Sequence, residues 1–468
     1  MKEATQTQAD IGVVSRQEML HSALENGRER LRTVTQELFP SSHILLPQIN
    51  QVYELDLAYG EYKALSDAEL VQRGAYFRSV RSTLTHHFRI CTNTPEQVNA
   101  SARQERKNFF AANLFAVGYA THGLFPYRGK FHPQMIKAIM NMMGLKPGDV
   151  VLDPMAGCGT TAIEASLIGI DSISCELNPF GCLMTQAKVD ALDIDCDFFP
   201  RLLVKADEIY EKLLAHTERP ALLPPPWYSR ASSTATIELG RPLDRLPDRV
   251  QLLLLLCYFD SVGYASRRKG KSPKDLFPAL LSRYLAAVSA FSQTREELDL
   301  KLGRAEVMEG DARDLELPNQ SVDGVLFSPP YSFAIDYVEN DRPQLEMLGV
   351  DLSCLKANMV GLVGCGRTAE ERVASRVSNY FLDMEKIMQH CERVLRPGGY
   401  CVIVVGSNTN QTGGVSLEDG LIEIGGTIGI PLEFQVLREI EGIRNTMREE
   451  SILFFRKAAS ATGAGCQA

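Results

Sequence analysis

Hydrophobic positions change their spacing several times along this chain, and each change marks a different kind of element. Val150-Val151-Leu152-Asp153 is a short apolar run ending in a carboxylate, and the glycine-rich turn Pro154-Met155-Ala156-Gly157-Cys158-Gly159 follows it. Thr160 to Ile168 then reads as a helix, and Ser172-Ile173-Ser174-Cys175-Glu176 as a second short strand. Strand, tight turn, helix and strand make one βαβ unit, the building block of a parallel sheet. The rhythm lapses from about residue 190 to 300, where Val250 to Asp260 and Leu280 to Phe291 read as buried helices. It resumes with strands at Ala305 to Asp311 and Val322 to Phe327, a helix at Tyr380 to Leu395, and strands at Tyr400 to Gly406 and Ser451 to Phe455. The pattern predicts an α/β protein with a mostly parallel sheet that a helical insert splits.

The flanks have their own textures. Residues 1–110 are polar and mostly helix-forming, with a basic bias from Arg73, Arg78, Arg81, Arg89, Arg103, Arg106 and Lys107. A solvated helical face and a phosphate-facing surface both fit that bias. Residues 123–134 alternate aromatic, basic and turn residues, and an amphipathic segment from Met135 to Met143 leads through Lys146-Pro147-Gly148-Asp149 into the first strand. Within the insert, Leu223-Pro224-Pro225-Pro226-Trp227-Tyr228 is a stiff extended linker. The expected organisation is a helical N-terminal extension over 1–110, an α/β domain made of 111–190 and 300–457, a helical insert at 191–299, and a flexible tail at 458–468.

Composition narrows the class. At 468 residues the chain can bury a large core in two or three units. A formal charge of −9 argues against a protein held to nucleic acid by its global field, but leaves room for local basic patches. One such patch is Arg267-Arg268-Lys269-Gly270-Lys271-Ser272-Pro273-Lys274, in the insert. Eleven cysteines without a single CxxC pair read as reduced thiols of a cytoplasmic protein rather than as a disulfide framework or a metal site. No apolar h-region follows Met1, and the longest apolar run, Leu252 to Phe259, is far too short to span a membrane.

Gly157-Cys158-Gly159-Thr160-Thr161-Ala162 satisfies the G-x-G-x-x-G/A pattern of dinucleotide sites, and Glu176 lies at a suitable distance to bind a ribose. The turn alone does not separate a nicotinamide cofactor from other adenosine cofactors. A turn without a ligand fits less well, because Asp153 and Glu176 both end strands on one sheet edge, where glycines let a ligand approach the backbone and a carboxylate accepts ribose hydroxyls. The stretch that narrows the choice is Phe327-Ser328-Pro329-Pro330-Tyr331, at the end of the second apolar strand. Two prolines there remove ladder donors and leave the Pro329 carbonyl unclaimed by the sheet. A hydroxyl, a carbonyl and the aromatic face of Tyr331 suit a flat ring that bears an amine.

Asp153-Pro154-Met155-Ala156-Gly157-Cys158-Gly159-Thr160-Thr161 together with Ser328-Pro329-Pro330-Tyr331 resembles the S-adenosylmethionine-dependent DNA amino-methyltransferases, which act on N4 of cytosine or N6 of adenine. The Ser-Pro-Pro-Tyr form is more typical of the N4-cytosine enzymes. Lys130-Phe131-His132-Pro133 is similar to the family's block ahead of the cofactor turn, and Leu395-Arg396-Pro397-Gly398-Gly399-Tyr400 to its helix-to-strand turn. The resemblance covers about residues 123–190 and 300–457.

It implies a Rossmann-like methyltransferase fold with S-adenosylmethionine as cofactor. Asp153 and the backbone of Gly157 and Gly159 would hold the methionine part, with Pro154, Ala156 and Thr160 of the same turn and with Lys130, Phe131 and His132 near its end. Glu176 would take the ribose hydroxyls, and Asp311, next to Ala312, the adenine amine. Ser328, Pro329, Pro330 and Tyr331 would form the catalytic pocket for a base flipped out of duplex DNA. Arg267, Arg268, Lys269 and Lys271 of the insert would contact phosphates, unless that loop is merely solvated. A cognate restriction enzyme is a partner that the resemblance allows.

Cys158, where many relatives carry Ser, reads as packing, and the absence of any Pro-Cys dipeptide disfavours cytosine C5 chemistry. Asp336 and Glu339 either orient the base or face solvent, and Asn340, Asp341 and Arg342 would fall in a mobile target loop. Adenine N6 methylation and RNA base methylation are the rivals within this chemistry. An oxidoreductase linked to NAD is the rival of another class, and it leaves Ser328-Pro329-Pro330-Tyr331 without a role.

Overall fold

The computed structural model describes residues 34–47, 49, 51–93, 118–127, 129–197, 199–217, 248–267, 270–330, 336–361, 367–406, 412–439 and 449–459. The linker at 223–228, Arg103, Arg106, Lys107, Arg268, Lys269, Tyr331 and all of the tail but its first two residues lie outside the described residues.

An N-terminal layer comes first. Its helices α1 (Val52–Ala64), α2 (Asp67–Arg73) and α3 (His86–Thr92) match the expected helical character. They are joined by a small antiparallel sheet, β1 (His43–Leu45), β2 (Phe77–Val80) and β3 (Thr83–Leu84), which the sequence pattern did not signal because two to four residues carry no readable alternation. The layer docks on α4 (Pro133–Met142) through a buried polar knot. The Glu61 carboxylate accepts from Ala75 N at 2.9 Å and from Asn141 Nδ2 at 2.6 Å, and Arg73 Nε donates to Asn141 Oδ1 at 2.8 Å. Arg73 is thus buried structure, Arg81 pairs with Asp67, and Arg89 pairs with Glu297 at 2.8 Å. Arg73 and Arg89 thus serve packing and an internal pair, while Arg78 is exposed.

The main sheet has seven strands. These are β4 (Val150–Asp153), β5 (Asp171–Glu176), β6 (Ala305–Glu309), β7 (Val322–Phe327), β8 (Leu395–Val405), β9 (Leu432–Glu439) and β10 (Glu449–Arg456), in the order β6-β5-β4-β7-β8-β10-β9. All pairings from β6 to β8 are parallel, while β10 runs antiparallel to both β8 and β9. This is the Rossmann-like methyltransferase arrangement expected from the sequence. The chain winds from β4 outward to β5 and β6, then crosses back to start β7 on the other side of β4. Order reverses between β4 and β7, where Val151 pairs with Gly324 and Leu152 with Val325. A crevice opens at the carboxyl ends of such a pair because the flanking connections leave in opposite directions.

Consecutive strand residues alternate between the two covered faces. Val151, Leu326 and Val402 pack with Ile136 and Met140 of α4 and with Tyr53 and Leu57 of α1. Leu152, Phe327 and Ile403 pack with Met384 and Met388 of a long helix, Ala369–Val394. Thus the N-terminal layer covers one face of the sheet directly.

The crossover helices on the first half are α5 (Thr160–Leu167) and α6 (Pro179–Asp190). The insert supplies α7 (Ala206–Thr217), α8 (Asp248–Ser266) and α9 (Pro273–Leu298). As expected, the apolar run in α8 is buried. Leu252 to Phe259 pack against Phe180 and Leu183 of α6 and against Phe277 and Tyr284 of α9. Within that core Arg283 donates to Asp260 at 2.7 Å and Tyr284 to the same oxygen at 3.2 Å. Past β7, α10 (Tyr337–Asn340) and α11 (Arg342–Met347) place Val338 and Leu345 in this same core. Among the described residues no helix is long and apolar enough to cross a membrane.

Candidate active site

Strand β4 ends in Asp153, which is buried and accepts the Met155 N–H at 3.1 Å. Burial pushes its carboxyl up to about 7. The turn then passes Gly157 and Gly159, both at positive φ (53° and 78°), and Gly159 caps α5. A side chain at Gly159 would be strained and would bring its Cβ within 2.7 Å of Thr185 Cγ2. The turn is clamped from β5. Glu176 Oε2 accepts the Gly157 N–H at 2.7 Å, and Oε1 accepts the Asn178 N–H at 2.9 Å. Gly181 makes this clamp possible, since a Cβ there would sit 2.8 Å from Glu176 Cγ and 2.9 Å from the Gly157 carbonyl.

The next strand adds a second carboxylate. Gly310 N donates to the Glu176 carbonyl at 3.0 Å, which sets Asp311 beside the same edge. Arg313 grips Asp311 with Nε at 2.9 Å and Nη2 at 2.6 Å, and reaches Asp383 at 3.1 Å and the Asn358 carbonyl at 2.8 Å. Burial alone would raise the Asp311 carboxyl, but the Arg313 bonds hold it below its ordinary value.

On the opposite side stands the 118–131 turn, fixed by a buried ionic cluster. Glu164 of α5 accepts from His122 Nε2 and from Tyr119 OH, each at 2.6 Å, and pairs with Lys137 of α4 at 3.2 Å. Burial would raise the Glu164 carboxyl, yet these partners, Lys137 foremost, hold it at about 2. Burial drives His122 down to about 3, so it is neutral beside the Glu164 carboxylate. Lys130 Nζ donates to the His122 carbonyl at 2.9 Å, and its burial, reinforced by Lys188, brings it down to about 7.

These parts surround one cleft at the carboxyl ends of the strands. Among the residues expected from sequence, Lys130, Phe131, Pro154, Ala156, Gly157, Thr160, Glu176, Asp311, Ala312, Ser328, Pro329 and Pro330 line it. Three expected residues do not reach its wall. Asp153 lies behind the turn, Gly159 is packed under Thr185, and His132 sits at the N-cap of α4, where burial pushes it down to about 3. Arg267 and Lys271, the described residues among those expected to contact phosphates, do not line the cleft. Arg267 and Lys271 are exposed, and the neighbouring Lys274 pairs with Glu211 at 2.5 Å.

Sequence reasoning missed several residues of the wall. Tyr127 and Tyr337 face each other with rings 6.5 Å apart and 20° from parallel. Asn178 lies beside Glu176, and Asn358, Met359 and Val360 close the Asp311 side. Only Asn178 left a signal. Asn followed by Pro is a helix start, and its Oδ1 accepts the Phe180 N–H at 2.9 Å.

The residues present suit S-adenosylmethionine. A carboxylate already gripping the glycine turn can take a ribose, a second one lies along the edge of the next strand, and apolar side chains complete the wall. When bound, the cofactor supplies an electrophilic methyl group on a sulfonium.

Comparison with known proteins agrees. Residues 124–213 match the RMKL-like methyltransferase domain family, a stretch that contains the glycine turn, Glu176 and Asn178. The chain is 38% identical over 73 residues to the Type II methyltransferase M.MjaII of Methanocaldococcus jannaschii, covering 16% of this chain and 14% of that one. It is 29% identical over 90 residues to the Type II methyltransferase M.BsoBI of Geobacillus stearothermophilus, covering 19% and 17%. It is 44% identical over 64 residues to the tRNA (guanine(10)-N2)-dimethyltransferase of Methanocaldococcus jannaschii, covering 13% and 18%. The matched stretch therefore spans less than a fifth of these relatives' length. Residues 124–213 thus match a methyltransferase domain family, within a sheet whose strand order is the Rossmann-like methyltransferase arrangement, around a cleft whose residues suit S-adenosylmethionine.

Proposed function

We propose that this chain transfers a methyl group to the exocyclic amine of a nucleic-acid base, with cytosine N4 in DNA as the first choice. The observation that carries the reading is the meeting of two distant segments in one cleft. Gly157 and Glu176 line its cofactor side, while Ser328, Pro329 and Pro330, more than 150 positions later, line the other. Both lie at the reversal point of the sheet, between β4 and β7.

In this reading an amine enters with its hydrogens directed at the Pro329 carbonyl and the Ser328 hydroxyl. A base amine is a weak nucleophile because its lone pair is delocalised into the ring. Two acceptors fixed on a rigid proline pair favour a pyramidal nitrogen, which localises the lone pair as the bond forms. Tyr331, the last residue of the motif, supplies a stacking face worth roughly 1–3 kcal/mol per base. That offsets part of the few kcal/mol needed to flip a base from a duplex. The two Type II methyltransferase relatives favour DNA, and with it a cognate restriction enzyme as partner.

A second reading, RNA, is favoured by the match to tRNA (guanine(10)-N2)-dimethyltransferases, whose target is likewise an exocyclic amine by name. The test is direct. The protein is incubated with labelled S-adenosylmethionine and duplex DNA, single-stranded DNA or tRNA, and the digested product is identified by mass. N4-methylcytosine from DNA is the expected product. Label only in tRNA would replace the first reading with the second, and no label in any base would overturn both.

A further inference from the structure

The strongest connection across the cleft is one that neither motif contains. Asn178 follows the ribose carboxylate by two positions and is 5% exposed. Its N–H donates to Glu176 Oε1 at 2.9 Å, and its side-chain oxygen accepts from Phe180 N at 2.9 Å. With the oxygen so engaged the amide has one orientation, and Nδ2 donates to Asp341 Oδ2 at 3.0 Å, across 163 positions of sequence. Asp341 is 4% exposed and links α10 to α11. Its N–H donates to the Tyr337 carbonyl at 3.1 Å, and its carbonyl accepts from Gln344 N at 3.0 Å. Gln344 Nε2 then donates to the Phe259 carbonyl in α8 at 3.1 Å. An unbroken hydrogen-bonded path thus runs from the Gly157 turn through Glu176, Asn178 and Asp341 to Tyr337 on the cleft wall and to the insert.

We propose that Asn178 and Asp341 are positioning residues whose bond couples occupation of the cofactor cleft to the order of residues 336–348 and of the insert behind them. The proposal rests on reading the cleft as a methyltransferase site. The physical argument is that Glu176 shares its two oxygens between Gly157 N and Asn178 N. A ribose engaging that carboxylate redistributes these bonds, and Asn178 passes the change to the only side chain its Nδ2 touches among the described residues. Ser328, Pro329 and Pro330 share the cleft with Tyr337 of the segment so held, and Tyr337 faces Tyr127. Coupling of this kind is reciprocal: nucleic acid that orders 336–348 tightens the cofactor by the same factor.

The test uses variants that keep the α6 cap. Asn178→Asp retains the acceptor for Phe180 N but turns a second carboxylate toward Asp341. The double variant Asn178→Asp with Asp341→Asn restores one donor and one acceptor with the polarity reversed. Hydrogen exchange is followed on the full chain with and without S-adenosylhomocysteine, whose affinity is measured alongside. In the wild type the ligand should slow exchange across 336–348 about tenfold, within the usual range of coupling. Asn178→Asp should lose that protection while keeping it at the glycine turn, and should bind the ligand up to about tenfold more weakly, as reciprocity requires; the double variant should regain both. Binding of a short mixed-sequence DNA duplex should follow the same pattern. Protection of 336–348 that persists in Asn178→Asp, or fails to return in the double variant, would overturn the coupling alone. Failure of the wild type to bind S-adenosylhomocysteine would overturn both the coupling and the methyltransferase reading.

Discussion

Glu176 and Ser328 line one cleft but should respond differently to truncation. Glu176→Ala removes the clamp on Gly157 N and a charged acceptor, worth about 1.5–3 kcal/mol. S-adenosylmethionine affinity should then fall by about one to two orders of magnitude, read by equilibrium binding. Ser328→Ala should leave that affinity near wild type while slowing transfer, and an equal loss of binding would move Ser328 out of the base pocket. Asp153 makes a pH prediction. Burial raises its carboxyl from 3.8 to about 7, so between these values the folded state holds a proton that the unfolded chain has released. Its contribution to stability is therefore complete below pH ~4 and is lost as pH rises through about 7. Asp341 and Glu61, each raised to about 7 by burial, act in the same window. His122, His132 and Lys130, pushed down by burial, act with the opposite sign, so the test is a difference: relative to wild type, Asp153→Asn should lose less stability, read as the urea midpoint, between pH 5 and pH 8. An unchanged slope would assign the pH dependence to the other groups. Glu176 was legible in sequence because a βαβ unit fixes its distance from the glycine turn. Tyr127, Tyr337 and Arg313 were not, because their roles depend on neighbours that only the fold brings near.

Helix α6 carries an argument of its own. Its first turn lies so close to the Glu176 carboxylate that Gly181 has no room for a Cβ, at 2.8 Å from Glu176 Cγ. Gly181→Ala replaces a poor helix former with the best one, a gain of roughly 1 kcal/mol in a helix interior. It should nonetheless weaken cofactor binding by displacing Glu176 from Gly157 N. Greater or equal cofactor affinity would mean that the helix end yields instead. The contact between α4 and α5 makes the opposite kind of prediction, in stability rather than binding. Glu164→Gln leaves Lys137 buried without its counter-charge, for which about 3–5 kcal/mol of destabilisation is expected. Adding Lys137→Met should recover a large part of it, and additive losses in this pair would deny the interaction. Such helices were readable as helices from their apolar periodicity. The ionic cluster between them was not, since Tyr119, His122, Lys137 and Glu164 look in sequence like ordinary polar positions of three separate stretches.

The whole molecule binds its halves more tightly than the split pattern suggested. The insert reads in sequence as an interruption, yet α8 packs on α6 from the first half of the sheet, and Leu345 from beyond β7 joins the same core. The helices were legible because Leu252 to Phe259 form a continuous apolar run, whereas their docking side is a tertiary fact with no local trace. The N-terminal layer is likewise woven into the sheet through Tyr53 and Leu57. With a formal charge of −9, attraction to a nucleic-acid backbone must come from a few exposed cations. Lys274 is already paired with Glu211, which leaves Arg267 and Lys271 as exposed cations of the described loop. Charge reversal of Arg267 and Lys271 should lower the slope of log K against log salt for duplex DNA by about 0.9 for each phosphate no longer neutralised. Reversal of Lys274 should leave that slope unchanged while disturbing its pairing with Glu211. Equal slopes for all three variants would return the loop to solvent and move the nucleic-acid surface to the cleft mouth, beside Tyr127 and Tyr337.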